Sequence, residues 1–257
     1  QGEGDPLLLI NGLGGHSDMW EPLLPHFEGH RIITFDSPGA GKSSVPMMPV
    51  PITRLAELCA AVLHDREVEW ADVLGYSYGG AIAQQFAYSF PSCVRRLVLA
   101  ATTCGIGGKP GEPRALTVLS TPVRYYSKTY FERTAQLTFG GRTGRNPQVR
   151  DEIMASRQKN PPSMLGYSMQ IAGASGWSSL PFLHKIPHET LVVVGDDDPL
   201  VPVENAYQLA DMIPRAQLAI AENAGHLFLW DDGLRQGVVI NEFLYAPHDT
   251  QVIDLRA

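Results

Sequence analysis

Residues 71–87 place the strongest constraint on how this chain can fold. The short apolar run Ala71-Asp72-Val73-Leu74 stops abruptly at Gly75-Tyr76-Ser77-Tyr78-Gly79 and passes at once into helix-forming residues from Ala81 to Ala87. A strand that ends in Gly-x-Ser-x-Gly and opens a helix reads as a nucleophile elbow. So sharp a turn demands an unfavourable backbone conformation at Ser77. Small residues at Gly75, Gly79 and Gly80 let strand and helix approach closely enough to permit it. Strain of this kind marks function, because it lifts the hydroxyl out of the sheet into a cleft. The motif gains force only if the chain also supplies a base, an acid and an oxyanion site in the right order.

The flanking sequence predicts the layer that such an elbow needs. Pro6–Asn11, Arg31–Asp36, Val94–Ala101, Leu191–Gly195 and Gln217–Ala221 are further apolar runs, the pattern of strands covered on both faces of a parallel sheet. Helical stretches separate them. Ile52–His64 carries an apolar stripe at Ile52, Leu55, Leu58, Cys59, Val62 and Leu63. Glu204–Ile213 and Leu234–Tyr245 are two more, the latter followed by a polar tail. Alternation of this kind predicts an α/β fold with a doubly wound, mostly parallel sheet. The rhythm breaks between Thr103 and Pro187. That segment is punctuated by Gly and Pro, predicts helices over Thr121–Thr138 and Gln148–Lys159, and contains no buried strand. Large apolar residues crowd it: Tyr125, Tyr126, Phe131, Met164, Tyr167, Met169, Trp177 and Phe182. The expectation is a core built from residues 1–103 and 187–257, with residues 104–186 inserted as a helical cap over the site.

Composition removes several classes of function. The 257 residues suffice for one α/β core, and 44% apolar with 18% charged residues is an ordinary globular balance. A net charge of −7 without clustered Lys and Arg argues against nucleic-acid partners. Cys59, Cys93 and Cys104 have no metal-ligand spacing and are expected to be reduced and structural. Gly41-Lys42-Ser43 resembles part of a phosphate loop, but the upstream glycine of that motif is absent, so this stretch is expected to be a tight turn. No apolar run is long enough to span a membrane, and no basic-then-apolar leader opens the sequence. The expected setting is cytoplasmic. No metal or organic cofactor is expected.

The chain supplies the missing chemistry downstream of Ser77. A serine hydroxyl is a weak nucleophile at neutral pH; an imidazole must take its proton and a carboxylate must fix the imidazole's tautomer. His226, beside Gly225 after the last run, is the expected base. His16, His26, His30, His64, His184, His188 and His248 are assigned to surface or packing, with His16 alone a candidate to line the pocket. Among Asp196, Asp197 and Asp198, the last is favoured because it stands before Pro199 and can turn back towards the His226 loop. Asp196 and Asp197 are expected to cap the turn or face solvent. No carboxylate follows the preceding strand, where the sequence is Ala100-Ala101-Thr102-Thr103. The glycine loop Asn11-Gly12-Leu13-Gly14-Gly15-His16 can present backbone N–H groups to an anion. The expected oxyanion donors are the N–H groups of Leu13 and Tyr78.

The order Ser77, Asp198, His226, with the glycine loop before them, resembles the α/β-hydrolase family over the whole chain. A closer resemblance is to the intracellular medium-chain-length polyhydroxyalkanoate depolymerases. It is carried by Pro6–Gly12, Gly80–Ala87, Leu97–Thr102, Gly176–Ser179, Leu183–Ile186, Gly195–Pro202 and Gly225–Leu229. That resemblance implies Ser77, Asp198 and His226 as triad, an ester of 3-hydroxyalkanoic acids as substrate, and a polyester granule surface as a partner. Two features differ from it: Tyr78 stands where those depolymerases carry Trp, and Leu13-Gly14-Gly15-His16 replaces an Ile-Gly-Ala-Asn loop. Met19, Trp20, Tyr76, Trp177, Leu227 and Phe228 flank the motifs or lie in the cap and are expected to bind an acyl chain. Alternatives that use the same triad are a small-molecule esterase, a lactonase or a carbon–carbon bond hydrolase. A ligand receptor on a hydrolase scaffold is the non-catalytic alternative.

Overall fold

The structure is a computed structural model and describes residues 2–231 and 233–246. The described residues form a six-stranded, wholly parallel sheet. Its strands are β1 (Asp5–Ile10), β2 (His30–Thr34), β3 (Ala71–Tyr76), β4 (Val94–Ala100), β5 (Glu189–Gly195) and β6 (Ala216–Ala221), in the spatial order β2-β1-β3-β4-β5-β6. All six lie within a few residues of the predicted runs. The order reverses at β1, which puts the carboxyl ends of β1 and β3 side by side at the sheet's switch point, where α/β folds place ligands.

Successive residues of each strand point to opposite faces, and the core divides accordingly. Leu7, Leu9, Leu74, Val98, Leu191 and Val193 face a layer containing Trp20, Phe27, Phe228 and Phe243. Leu8, Ile10, Val73, Leu97, Leu99, Val192 and Val194 face the opposite layer. There they meet α1 (Ile52–Asp65), α2 (Tyr78–Ser89) and the later helix Glu204–Met212. The stripe read from Ile52, Leu55, Cys59 and Leu63 is buried in that layer.

Between β4 and β5 run α3 (Pro113–Leu119), α4 (Val123–Tyr126), α5 (Lys128–Phe139), α6 (Gly141–Arg145), α7 (Pro147–Arg157) and α8 (Met164–Ala174). The single helix predicted over Thr121–Thr138 is two. Ser127 is extended (φ −112°, ψ 108°), and its hydroxyl accepts the Tyr130 N–H at 3.2 Å, so it begins α5 as a cap. Of the large residues in this segment, Tyr125, Phe131 and Tyr167 are buried, whereas Tyr126 and Met164 are exposed. Phe131, Phe139, Val149, Ile153 and Met154 join the core layer above the sheet, so the insertion shares the core's packing.

Three further helices complete the described chain: α9 (Glu204–Met212), α10 (Phe228–Asp231) and α11 (Gly233–Tyr245). A 3-10 helix over Ser17–Phe27, containing Pro22 and Pro25, was not legible as a helix because both prolines interrupt any α-helical reading. The polar tail and His248 lie outside the described residues. No described helix is long and apolar enough to cross a membrane. The three cysteines are free, with Cys59 and Cys104 buried. The turn after β2 is organised by Asp36, whose carboxylate accepts from Ser17 N (2.7 Å), Ser17 Oγ (2.6 Å) and Lys42 N (2.7 Å).

Candidate active site

Ser77 follows the last residue of β3 and has φ 53°, ψ −115°, a region that non-glycine residues rarely occupy. The surroundings over-determine it. Its N–H donates to the Ala100 carbonyl at 2.8 Å, and its own carbonyl accepts from Thr102 Oγ1 at 2.8 Å and Gly80 N at 2.9 Å. Close approach of α2 to the sheet depends on Gly79: a Cβ there would collide with the carbonyl oxygens of Ile10 and Asn11 at the end of β1. The strain costs of order 1–3 kcal/mol and persists because the flanking strands hold it.

His226 and Asp198 come from the loops after β6 and β5. His226 Nδ1 donates to Asp198 Oδ2 at 2.7 Å, and Ser77 Oγ lies 3.0 Å from His226 Nε2. Asp198 is buried, and its other oxygen, Oδ1, accepts the N–H groups of Leu200 and Val201 at 2.8 and 2.9 Å. The backbone of the turn thus fixes the carboxylate with one oxygen free for the imidazole. His226 is anchored along its own backbone, with its N–H on the Phe139 carbonyl (2.7 Å) and its carbonyl accepting from the Tyr76 hydroxyl (2.8 Å). Of the neighbouring aspartates, Asp196 is exposed. Asp197 accepts from Gly141 N (2.9 Å) and Arg145 Nη1 (3.0 Å), which ties the acid's loop to α6.

Two confluent cavities meet at Ser77 and His226. The outer one is lined by Leu13, Tyr78, Leu116, Ile171, Trp177 and Leu200 among others. The inner one, much the smaller, is lined by Asn11, Gly12, Met19, Tyr76, Arg124 and Arg157 among others. Leu13 lines both. Tyr78 is the first residue of α2, where a backbone N–H has no intrahelical acceptor. Burial pushes the Tyr78 phenol well above its ordinary range.

The expected binding residues divide. Met19 and Tyr76 line the inner cavity and Trp177 the outer one. Trp20, Leu227 and Phe228 line neither cavity; they are buried in one core layer, so their placement on the wall of the site is corrected. Neighbours in sequence need not be neighbours in a pocket, because a turning chain sends successive side chains to different sides. His16 is likewise buried away from both cavities, its carbonyl accepting from Asn11 Nδ2 at 2.7 Å. His30 lies tilted against the Tyr245 ring, His188 Nε2 donates to the Pro91 carbonyl, and His64 and His184 are exposed.

Sequence reasoning missed Arg124, Arg157 and Gln170. Arg124 and Arg157 are 2% and 3% exposed, and both line the inner cavity. Arg124 Nη1 donates to the Thr121 carbonyl at 2.9 Å, and its guanidinium lies 4.9 Å from the Tyr125 ring centre. Arg157 lies 5.0, 5.4 and 4.8 Å from the ring centres of Tyr125, Phe131 and Phe139, and its Nε and Nη1 have no hydrogen-bond partner among the described residues. Burial pulls the Arg157 guanidinium below its ordinary range. Aromatic faces surround this cation, and no pattern in a helix's sequence announces that. Among the described residues, no group of three or more His, Cys, Asp or Glu is placed to hold a metal.

The sequence profile described as the alpha/beta hydrolase fold matches residues 5–233. The chain belongs to the alpha/beta hydrolase family. It is 38% identical, over 98% of its length and 88% of the relative's, to a poly(3-hydroxyalkanoate) depolymerase of Ectopseudomonas oleovorans. It is 30% identical, over 95% of its length and 88% of the relative's, to a 2-hydroxymuconate semialdehyde hydrolase of a Pseudomonas species. Among solved structures, a hydrolase from Pseudomonas aeruginosa superposes with a TM-score of 0.79 at 25% identity, covering 96% of this chain and 92% of that one. The six-stranded parallel sheet with flanking helices is this family's fold, and the protein is a hydrolase.

Proposed function

We propose that the protein is a serine-dependent carboxylic-ester hydrolase that works through an acyl-enzyme, on polyhydroxyalkanoate or its 3-hydroxyalkanoate oligomers. The observation that carries this reading is the continuous hydrogen-bond chain Ser77–His226–Asp198 at the mouth of a large apolar cavity. Ser77 Oγ attacks the ester carbonyl carbon while its proton passes to His226 Nε2. The carbonyl π pair moves onto oxygen, where the N–H groups of Leu13 and Tyr78 receive it. Collapse breaks the bond to the alcohol oxygen, which leaves with the proton from His226. Water then attacks the acyl carbon, gives its proton to His226, and releases the acid as Oγ recovers the proton. Asp198 holds the Nδ1–H tautomer and stabilises the imidazolium that forms at each step.

Residues 104–186 act in this reading as a cap whose apolar wall, with Leu116, Ile171 and Trp177, receives a medium-length alkyl side chain. The relation to the Ectopseudomonas depolymerase supports the polymer as substrate class. The setting is cytoplasmic, with the enzyme working at the surface of the polymer granule. The test compares medium- with short-chain polyester suspensions, aryl esters and lactones, using Ser77→Ala as the control. Preferential release of medium-chain 3-hydroxy acids by wild type, and none by Ser77→Ala, is expected. Full activity of Ser77→Ala would sink the proposal.

A second reading is favoured by one observation. Arg124 and Arg157 line the inner cavity without a carboxylate partner among the described residues, which suits an anionic group on a small substrate. The 2-hydroxymuconate semialdehyde hydrolase relative gives that reading its reaction, carbon–carbon bond hydrolysis. Turnover of acidic dienoates faster than any ester in the same panel would select it.

A further inference from the structure

The Leu13–Gly14 peptide is gripped at both of its polar ends by the insertion. The Tyr125 hydroxyl, from α4, donates to the Leu13 carbonyl at 2.7 Å. The Gly14 N–H, the other end of the same peptide, donates to Gln170 Oε1, from α8, at 2.9 Å in a buried setting. Gln170 is itself fixed, because its Nε2 donates to the Pro38 carbonyl at 3.1 Å. Gly14 has φ +72°, and a Cβ there would press on the Tyr167 ring and on Pro162, so the loop seats directly against the insertion. From below, the loop is closed by Asn11 Nδ2 on the His16 carbonyl and by Gly15 N on the Gly12 carbonyl at 2.9 Å.

We propose that Tyr125 and Gln170 are positioning residues that clamp the Leu13–Gly14 peptide and thereby aim the Leu13 N–H at the reacting carbonyl oxygen. The inference rests on the serine-hydrolase reading and adds to it. Rotation of a peptide plane swings the N–H that precedes it, because φ and ψ of Leu13 are the only soft torsions between the two planes. A glycine loop left to itself samples many such orientations. Two hydrogen bonds of opposite polarity on one peptide restrict them to a narrow range. Oxyanion stabilisation therefore depends on an insertion that is seated, since Tyr125 and Gln170 leave the loop with α4 and α8 if those helices move.

The test separates positioning from substrate binding. Tyr125→Phe keeps the ring beside Arg124 and Arg157 and removes the hydroxyl, with its donor to Leu13 and its contact to Arg124; Gln170→Leu removes the acceptor for Gly14 and the donor to Pro38 at similar volume. The probe is a trifluoromethyl ketone of a medium-chain acid. Ser77 Oγ adds to its carbonyl carbon, the Oγ proton goes to His226, and the π pair becomes an oxyanion in the proposed hole. Loss of a whole oxyanion donor costs on the order of 100- to 1000-fold in rate. A misaimed one is expected to cost about tenfold in kcat per variant with KM within about twofold. The ketone's affinity should fall by the same factor, while the corresponding alcohol, which forms no oxyanion, binds as before. If kcat and ketone affinity stay within about twofold of wild type in Tyr125→Phe, or if the alcohol weakens in step with the ketone, the clamp is refuted. Should Gln170→Leu fail to fold, Tyr125→Phe carries the test alone. Failure of the underlying reading has its own signature: wild type forms no ketone adduct and Ser77→Ala retains activity.

Discussion

The sheet side and the insertion side of the site are held by different kinds of interaction. On the sheet side, backbone does most of the positioning: Ser77 is fixed by the Ala100 carbonyl and Gly80 N, and Asp198 by two N–H groups of its own turn, with Thr102 Oγ1 on the Ser77 carbonyl and the Tyr76 hydroxyl on the His226 carbonyl as additions. On the insertion side, side chains do it: Tyr125, Tyr167, Arg124 and Gln170 each reach a backbone carbonyl or N–H from a helix. Backbone contacts survive most substitutions, provided that the glycines between them remain. Side-chain contacts vanish one at a time. The same fold can therefore keep one chemistry on the sheet while the wall opposite it changes, which is the behaviour expected of function grafted onto a common scaffold.

That contrast can be broken or sharpened by measurement. The largest effect is expected from Asp198→Asn. The asparagine oxygen still accepts from Leu200 and Val201, but its amide then faces His226 Nδ1 and favours the wrong tautomer. The turnover of a chromogenic ester should fall by about ten-thousand-fold with the fold intact. A drop of less than tenfold would mean that another group orients the imidazole. Gly79→Ala comes next. Its methyl meets the ends of β1, so a loss of about 1–3 kcal/mol in urea unfolding is expected; an unchanged midpoint would show that strand and helix can separate freely.

Substitution in the wall of the outer cavity should act on binding instead. Trp177→Ala is expected to raise KM for a medium-chain ester by about tenfold, the scale of a few methylene contacts, and leave kcat for an acetate ester unchanged. Equal losses on both esters would place Trp177 in support of the core. The smallest effect concerns His16, which burial holds below its ordinary range with Asp18 and Asp36 opposing. The unfolded chain then takes up a proton before the folded one does, so this group costs stability as pH falls below about 6.5. His16→Leu should narrow the difference between urea midpoints at pH 7 and pH 5. A wider difference would show that the neighbouring aspartates outweigh burial.

Much of this protein is legible from its residues alone. Continuous apolar runs separated by amphipathic stretches imply a parallel sheet, because a strand covered on both faces cannot afford alternation. Gly-x-Ser-x-Gly at a strand end implies the strained turn, since few other sequences tolerate it. Asp198 and His226 were readable because each follows a strand whose carboxyl end must point at the same crevice. What tertiary structure alone decided is which side chains reach that crevice from elsewhere. Trp20, Leu227 and Phe228 look like pocket residues in sequence and are core residues in space. Arg157 looks like a solvated helix residue and lies buried among three aromatic rings. Gln170 stands 156 positions from the glycine whose N–H it accepts, and no local pattern encodes a hydrogen bond across that distance. Periodicity records which face of an element is covered; only packing settles what covers it.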